Sequence, residues 1–276
     1  MANRLSPPRA EDSARYEARM TLIEHLDELR SRIFKVLIAL IAAAAVSFYF
    51  NRELLELMLE PSGLENLKFT APAEGFFTSV KLSLWAAFVL TVPVILYQGW
   101  AFAAPAVGEL GRVFTYITIA LASSLFLAGV AFGYLVTLPV AMDFLLSWNE
   151  ESFEEIITGN YYLSFATRLL IAFGIAFELP AATYVGARMG LIDAPMLRQY
   201  RKHALVVIAI GSAMLTPPDP FSMLLMMVPL VGLYEASIFI ARLVNPVSAS
   251  SELEVVDDPE DEDGYRDRDD REDRDL

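Results

Sequence analysis

The chain has no cysteine, which excludes disulfides, thiolate metal sites and cysteine nucleophiles. Histidine occurs twice, at positions 25 and 203, too few and too far apart for a His-built metal cage. No metal site and no cofactor is expected. No Ser/His/Asp set or metal-ligand cluster is legible, so no enzymatic activity is expected either. Lysine is scarce, 4 against 17 arginines. Charge is nearly missing from most of the chain. Of the net −14, −10 lies in Ser251 to Leu276, leaving −4 for residues 1–250. The low pI of 4.6 therefore belongs to the tail, a solvated acidic segment of the kind that stays disordered. Nothing basic enough to suggest nucleic acid remains.

What is present is apolar. Of the 276 residues 55% are hydrophobic, above the roughly 45–50% of an ordinary globular chain, and mean hydropathy is +0.43 despite the tail. The body reads as an integral membrane protein. Long runs cover Ile33 to Phe50, Phe76 to Trp100, Val113 to Trp148 and Tyr161 to Gly186. Two shorter ones follow, Ala204 to Pro218 and Phe221 to Ala241, parted by Thr-Pro-Pro-Asp-Pro at 216–220. The segment before the first run mixes six acids with six arginines, unlike the basic start of a cleaved signal peptide. Val113 to Trp148 exceeds the length of one span, so Pro139 is expected to divide it into a span and an apolar surface loop. Prolines at 93, 180 and 229 predict kinks in three other runs.

Six spans place both termini on one side. Arg15, Arg19, Arg30 and Arg32 precede the first run, Arg188, Arg198, Arg201 and Lys202 lie between the fourth and fifth, and Arg242 follows the last. The intervening loops are acidic: 51–75 has five Glu against Arg52 and Lys68, and 149–160 has four Glu and no base. Cationic loops stay cytoplasmic, so both termini are expected in the cytoplasm of a cell-membrane protein. The fifth run, 15 residues, falls short of the roughly 20 that cross a bilayer. Local thinning is favoured over a re-entrant hairpin, because only two crossings preserve the charge asymmetry.

Thr21-Leu-Ile-Glu24 has the spacing of a capping box. Leu22, Ile23, Leu26, Leu29 and Ile33 then recur at helical spacing, with Glu24, Asp27, Glu28 and Ser31 opposite. This predicts an amphipathic helix lying at the interface before the chain turns into the membrane. The segment His25-Leu-Asp-Glu-Leu-Arg30 resembles the H-L-x-E-L-R signature of the TatC family, the multispanning subunit of the twin-arginine protein translocase. Phe76-Phe77-Thr with Lys81-Leu, Pro93-Val-Ile-Leu-Tyr-Gln98, Trp100-Ala-Phe102 with Ala104-Pro105, Tyr162-Leu-Ser-Phe165, Ala172 through Pro180, and Leu215-Thr-Pro-Pro-Asp219 are similar to that family's blocks, in order, over residues 21–242.

The resemblance implies an all-α six-span bundle, curved and cupped, with residues 1–20 as a cytoplasmic segment, 21–242 as the membrane domain and 243–276 as a disordered acidic tail. It implies a receptor for signal peptides of folded proteins that carry paired arginines, driven by the proton motive force. Its partners would be TatA/TatB-type single-span proteins, those signal peptides and the lipid bilayer, with homo-oligomerisation left open. Glu28 corresponds to the acid that meets the arginine pair, with Arg30 holding it or a neighbouring carboxylate. The family's second acid falls at Gly111, and the nearest here is Glu109, either brought to the same place by Gly108 and Gly111 or an ordinary loop residue. Phe102 is a candidate contact for the apolar part of a signal peptide, or an interfacial anchor.

Two membrane carboxylates stand apart, Glu178 and Glu235. Burying such a group costs roughly 2.5–3.5 kcal/mol on insertion scales, so each should face protein or water. Glu178 is either satisfied by another helix, or part of a polar patch for a signal peptide or partner helix, with proton linkage open. On the non-cytoplasmic side Pro61 and Asp219 are singled out. The competing reading is a small proton- or ion-coupled transporter using Glu178 and Glu235. No internal repeat supports it.

Overall fold

A computed structural model describes residues 22–63, 67–107, 112–147, 157–216 and 219–244. The segment 1–20, nearly all of the acidic tail and Glu109 lie outside them. The described residues are helical, apart from turns and one isolated parallel bridge between Lys68 and Thr158. They divide into two units, one reaching Gly174 and the other starting at Ile175.

In the first unit α1, Leu22–Tyr49, is a single 28-residue helix, about 42 Å long at 1.5 Å per residue. The expected turn from interface into membrane is absent: no Gly or Pro interrupts 22–49, and Ala42 to Ala45 are strong helix formers. The following loop contains a further helix, α2, Asn51–Leu59, and a 3-10 turn, Glu60–Ser62. Pro61 sits in that turn's first positions, where its missing N–H is harmless.

Helix α3, Glu74–Val107, continues through Pro93 and packs along α1. Next come α4, Arg112–Phe132, a π-helical segment, Gly133–Thr137, and α5, Leu138–Ser147. The expected division at Pro139 does not occur, and helix persists from 112 to 147. Proline cannot donate to the carbonyl four residues back, and its ring crowds that carbonyl. Here the wider turn takes up the misfit, with Leu138 N–H donating to Gly133 O, five residues back.

The interior follows the logic of a lipid solvent. Large apolar side chains face outward, among them Ile38, 66% exposed, and Val228, 69%, while small hydroxyl residues such as Ser83, Thr91 and Thr137 are buried. Helices in lipid approach through small residues and local hydrogen bonds. Thr91 and Thr167 hydroxyls donate to carbonyls four residues back, so burial leaves neither unsatisfied. Phe126, Leu138, Leu169 and Phe173 are among the unit's most deeply buried side chains. A Cβ on Gly174 would stand 2.7 Å from the Phe126 ring, and one on Gly133 would stand 3.2 Å from Leu170. These two glycines set the close approach of helices here.

The end of α1 distant from Leu22 is tied down by polar contacts. Asn51 Nδ2 donates to Ser79 O and Ser83 Oγ at 2.8 and 2.9 Å. The Tyr134 hydroxyl donates to Leu57 O at 2.8 Å, and Tyr162 OH donates to Met58 O.

Helix α6, Gly159–Arg188, is continuous through Pro180 and enters the second unit. It ends at Gly190, φ 71, with Leu191 N–H returning to Gly186 O at 2.9 Å. Three helices follow: α7, Ala194–Gln199, α8, Arg201–Leu215, and α9, Pro220–Val244. Asp193 and Asp219 accept the Met196 and Ser222 N–H groups at 2.7 and 2.6 Å, capping α7 and α9. Ala194, Ile238 and Ala241 form a small core, closed by Leu197 and Tyr234. Among the described residues, five helical stretches are long and apolar enough to cross a membrane; α8, with 15 residues, is not one of them.

Gly174→Val should force the Phe126 ring to move and lower stability by about 1–3 kcal/mol, the usual cost of overpacking. A thermal unfolding midpoint in detergent equal to the parent's would show that the contact is not tight.

Candidate functional site

Glu28 lies on α1, three residues after His25 and four before Arg32, and both spacings bring side chains together on a helix. Arg32 Nε donates to Glu28 Oε1 at 3.1 Å, and its Nη2 donates to the same oxygen. The remaining fork reaches α3: Nη1 donates to Gln98 Oε1 at 3.3 Å and Nη2 to Ala101 O at 3.0 Å. A planar guanidinium with five donors can make such a set, and an ammonium cannot. His25 stacks on Phe102, centroids 4.2 Å apart and planes 14° from parallel. Its Nδ1 stands 3.8 Å from Glu28 Oε2. That oxygen is buried and has no hydrogen-bond partner among the described residues.

The Arg30 expectation is therefore corrected. Its guanidinium lies 5.8 Å from the Phe34 ring centroid, and the arginine on Glu28 is Arg32. Two residues along a helix rotate a side chain to the opposite face, whereas four return it. The i,i+4 spacing was visible in the sequence. Gln98 and Ala101, 66 and 69 residues from Arg32, left no sequence signal as its acceptors.

Of the other singled-out residues, Phe102 joins Glu28 through His25. Glu109 falls outside the described residues. In the second unit, Glu178 on α6 has its Oε1 buried, with no hydrogen-bond partner among the described residues. Glu235 on α9 receives Arg201 Nη2 from α8 at 2.7 Å, a partner that sequence reading missed. Asp219 caps α9 through Oδ1, while its Oδ2 is buried without a partner among the described residues. Pro61 belongs to the 3-10 turn after α2. Among the described residues no group of three or more His, Asp or Glu is placed to hold a metal.

The arrangement defines a class: a multi-pass helical membrane protein that carries, toward one end of its first long apolar helix, a carboxylate oriented by one guanidinium. A family model for "Sec-independent protein translocase protein (TatC)" matches residues 24–229. The chain is similar to Sec-independent protein translocase protein TatC of Helicobacter pylori strain J99, 38% identical over 234 residues, covering 85% of this chain and 94% of that protein. The TatC of Escherichia coli K12 is 36% identical over 226 residues, covering 80% and 88%. The solved structure described as the twin-arginine translocase receptor TatC superposes with a TM-score of 0.74 at 34% identity, covering 80% of this chain and all of that one. The chain belongs to the TatC family and is a multi-pass subunit of the twin-arginine protein translocase. It is a transport protein rather than a classical enzyme, and the solute-transporter reading of Glu178 and Glu235 is not favoured.

Replacing Arg32 with Ala should lower the thermal midpoint of the purified protein by a few degrees, because Glu28, Gln98 and the Ala101 carbonyl lose a shared donor. Arg30→Ala should leave it within error, as surface substitutions usually do. Equal effects of the two would contradict the assignment of Arg32.

Proposed function

We propose that Glu28 is the site at which this translocase subunit takes the arginine pair of a signal peptide. The observation that carries the reading is the split state of the carboxylate: one oxygen fixed by Arg32, the other sheltered and without a partner among the described residues. An arriving guanidinium would donate to Oε2 once the groups that shelter it move aside, giving it a charge-assisted bond. Arg32 acts as a positioning residue. Its fork holds the carboxylate against α3, and the His25–Phe102 stack forms a flat apolar wall beside it. Lysine in the peptide keeps the charge but loses the planar fork. The second arginine needs another acceptor, a role assigned to Glu109.

The rest of the reading rests on the charge pattern and the family. The Arg-rich segments at the start of the chain and after α6 support a reading in which the Glu28 end, both termini and residues 1–20 lie in the cytoplasm of a cell-membrane protein. The membrane domain then spans 21–242 with six crossings, α8 being the short one, and the acidic residues from 243 form a cytoplasmic tail. Precursors would cross folded, at the expense of the proton motive force. The partners are TatA/TatB-type single-span proteins, and Glu178, with its unsatisfied oxygen, is proposed to accept a hydrogen bond from one of their membrane helices.

Binding of a labelled twin-arginine peptide to the reconstituted protein should weaken about tenfold or more in Glu28→Gln, the scale of one lost charged hydrogen bond. Arg32→Lys should weaken it several-fold, and Arg30→Lys should not. Unchanged binding in Glu28→Gln would remove the site. Glu178→Ala should reduce co-purification of a TatA/TatB-type partner by several-fold while leaving peptide affinity intact; loss of peptide binding instead would reassign Glu178 to the signal site.

A further inference from the structure

Far from Glu28, the first unit gathers two cations along the first turns of α6. Lys81 Nζ, from α3, donates to Asn160 Oδ1 at 3.0 Å. Ser164 Oγ shares that acceptor at 3.5 Å, and Arg168 Nε donates to Ser164 O at 2.8 Å. Asn160, Ser164 and Arg168 follow at four-residue spacing and so share one face. Among the described residues neither Lys81 nor Arg168 has a carboxylate within 4 Å; the nearby Glu74 carboxylate accepts the Thr70 N–H and hydroxyl and the Ala71 N–H. Both cations are exposed. Lys81 lies seven residues into α3 and Arg168 nine into α6, about 10 and 14 Å inside the helix ends at 1.5 Å per residue. Long cationic side chains set in from a helix end can reach along it toward lipid headgroups.

Beside them runs a groove of about 370 Å³ whose lining includes Val46, Phe50, Leu57, Trp85, Leu90 and Leu170 and no charged residue. A narrow cleft lined by Thr78, Lys81, Leu163 and Ser164 shares Leu82, Trp85 and Thr167 with the groove and carries it to Lys81. The volume is at the low end of the roughly 300–1,000 Å³ of ligand sites. The groove's lining is apolar apart from Ser47 and Thr167, which suits a hydrocarbon chain. The complementary molecule has an anionic head and a thin apolar chain.

We propose that this end of the first unit binds one anionic phospholipid, its phosphate between Lys81 and Arg168 and an acyl chain in the groove. The lipid would fill an apolar surface that water cannot satisfy and neutralise Lys81, which lines the cleft, and Arg168, one turn of α6 beyond Ser164.

The test uses the full chain in neutral detergent, offered equal amounts of phosphatidylglycerol and phosphatidylcholine and read by native mass spectrometry. Phosphatidylglycerol should be retained at least fivefold over phosphatidylcholine. The preference should vanish in the double variant Lys81→Gln/Arg168→Gln, and Ala86→Phe, which fills the groove, should lower retention of both lipids. Should Ala86→Phe misfold, the double variant alone, altered only at exposed positions, decides. Equal retention by the parent, or a preference surviving in the double variant, would overturn the proposal. Glycerol phosphate, the head without chains, should not compete; competition would make this an anion site and not a lipid site. In native membranes a photoreactive residue at position 90 should acquire the mass of a phospholipid. A crosslink there to a signal peptide, a partner protein or a second copy would give the groove another occupant and end the proposal.

Discussion

The guanidinium of Arg32 is the point on which the site depends. It joins a carboxylate on its own helix to a side-chain amide and a backbone carbonyl on α3. In doing so it fixes the register of the two helices at the end where Glu28 lies. It also engages one oxygen of Glu28 and leaves the other, so under the proposed function the chain already holds the kind of contact it would make with a signal peptide. A lysine at 32 could neutralise Glu28 but could not span to Gln98 and Ala101 at once. The same chemistry that orders Glu28 would, under the proposed function, discriminate paired arginines from paired lysines on a signal peptide.

Around this polar point the protein is organised by a solvent that offers no hydrogen bonds. Backbone polarity is satisfied within helices, the hydroxyls of Thr91 and Thr167 bond their own helix, and many bulky apolar side chains are turned outward. Polar ties between different elements concentrate near helix ends: Arg32 at one end of α1, and Asn51, Tyr134 and Tyr162 around α2 at the other. Pinning both ends leaves the middle of the unit to close packing, where Gly133 and Gly174 admit Leu170, Phe173 and Phe126.

Much of this was legible beforehand. Hydropathy located the long helices to within a few residues, except that α1 begins at Leu22 and α3 extends to Val107, and the motif blocks pointed to the family later matched over 24–229. Three failures have physical causes. Pro139 reads as a breaker, but a π-turn is a register change that leaves no compositional mark. The helix α2 hides in a loop whose residues are mixed in polarity, and it is held by tyrosines 77 and 104 residues away. Arg30 was chosen over Arg32 because the motif ended there, although helical spacing favoured Arg32. Pairings such as Arg201 with Glu235 depend on how helices meet, and periodicity within one helix cannot report that.

The central claim is that Glu28 bonds directly to a guanidinium of the signal peptide. A double-mutant cycle tests it most directly, combining Glu28→Gln in the receptor with arginine-to-lysine changes in the peptide, and reading equilibrium binding to the reconstituted protein. The account predicts strong coupling: once Glu28 is neutral, replacing the peptide's arginines should cost at least fivefold less affinity than it costs against the parent. Independent effects, with the two losses simply multiplying, would contradict it.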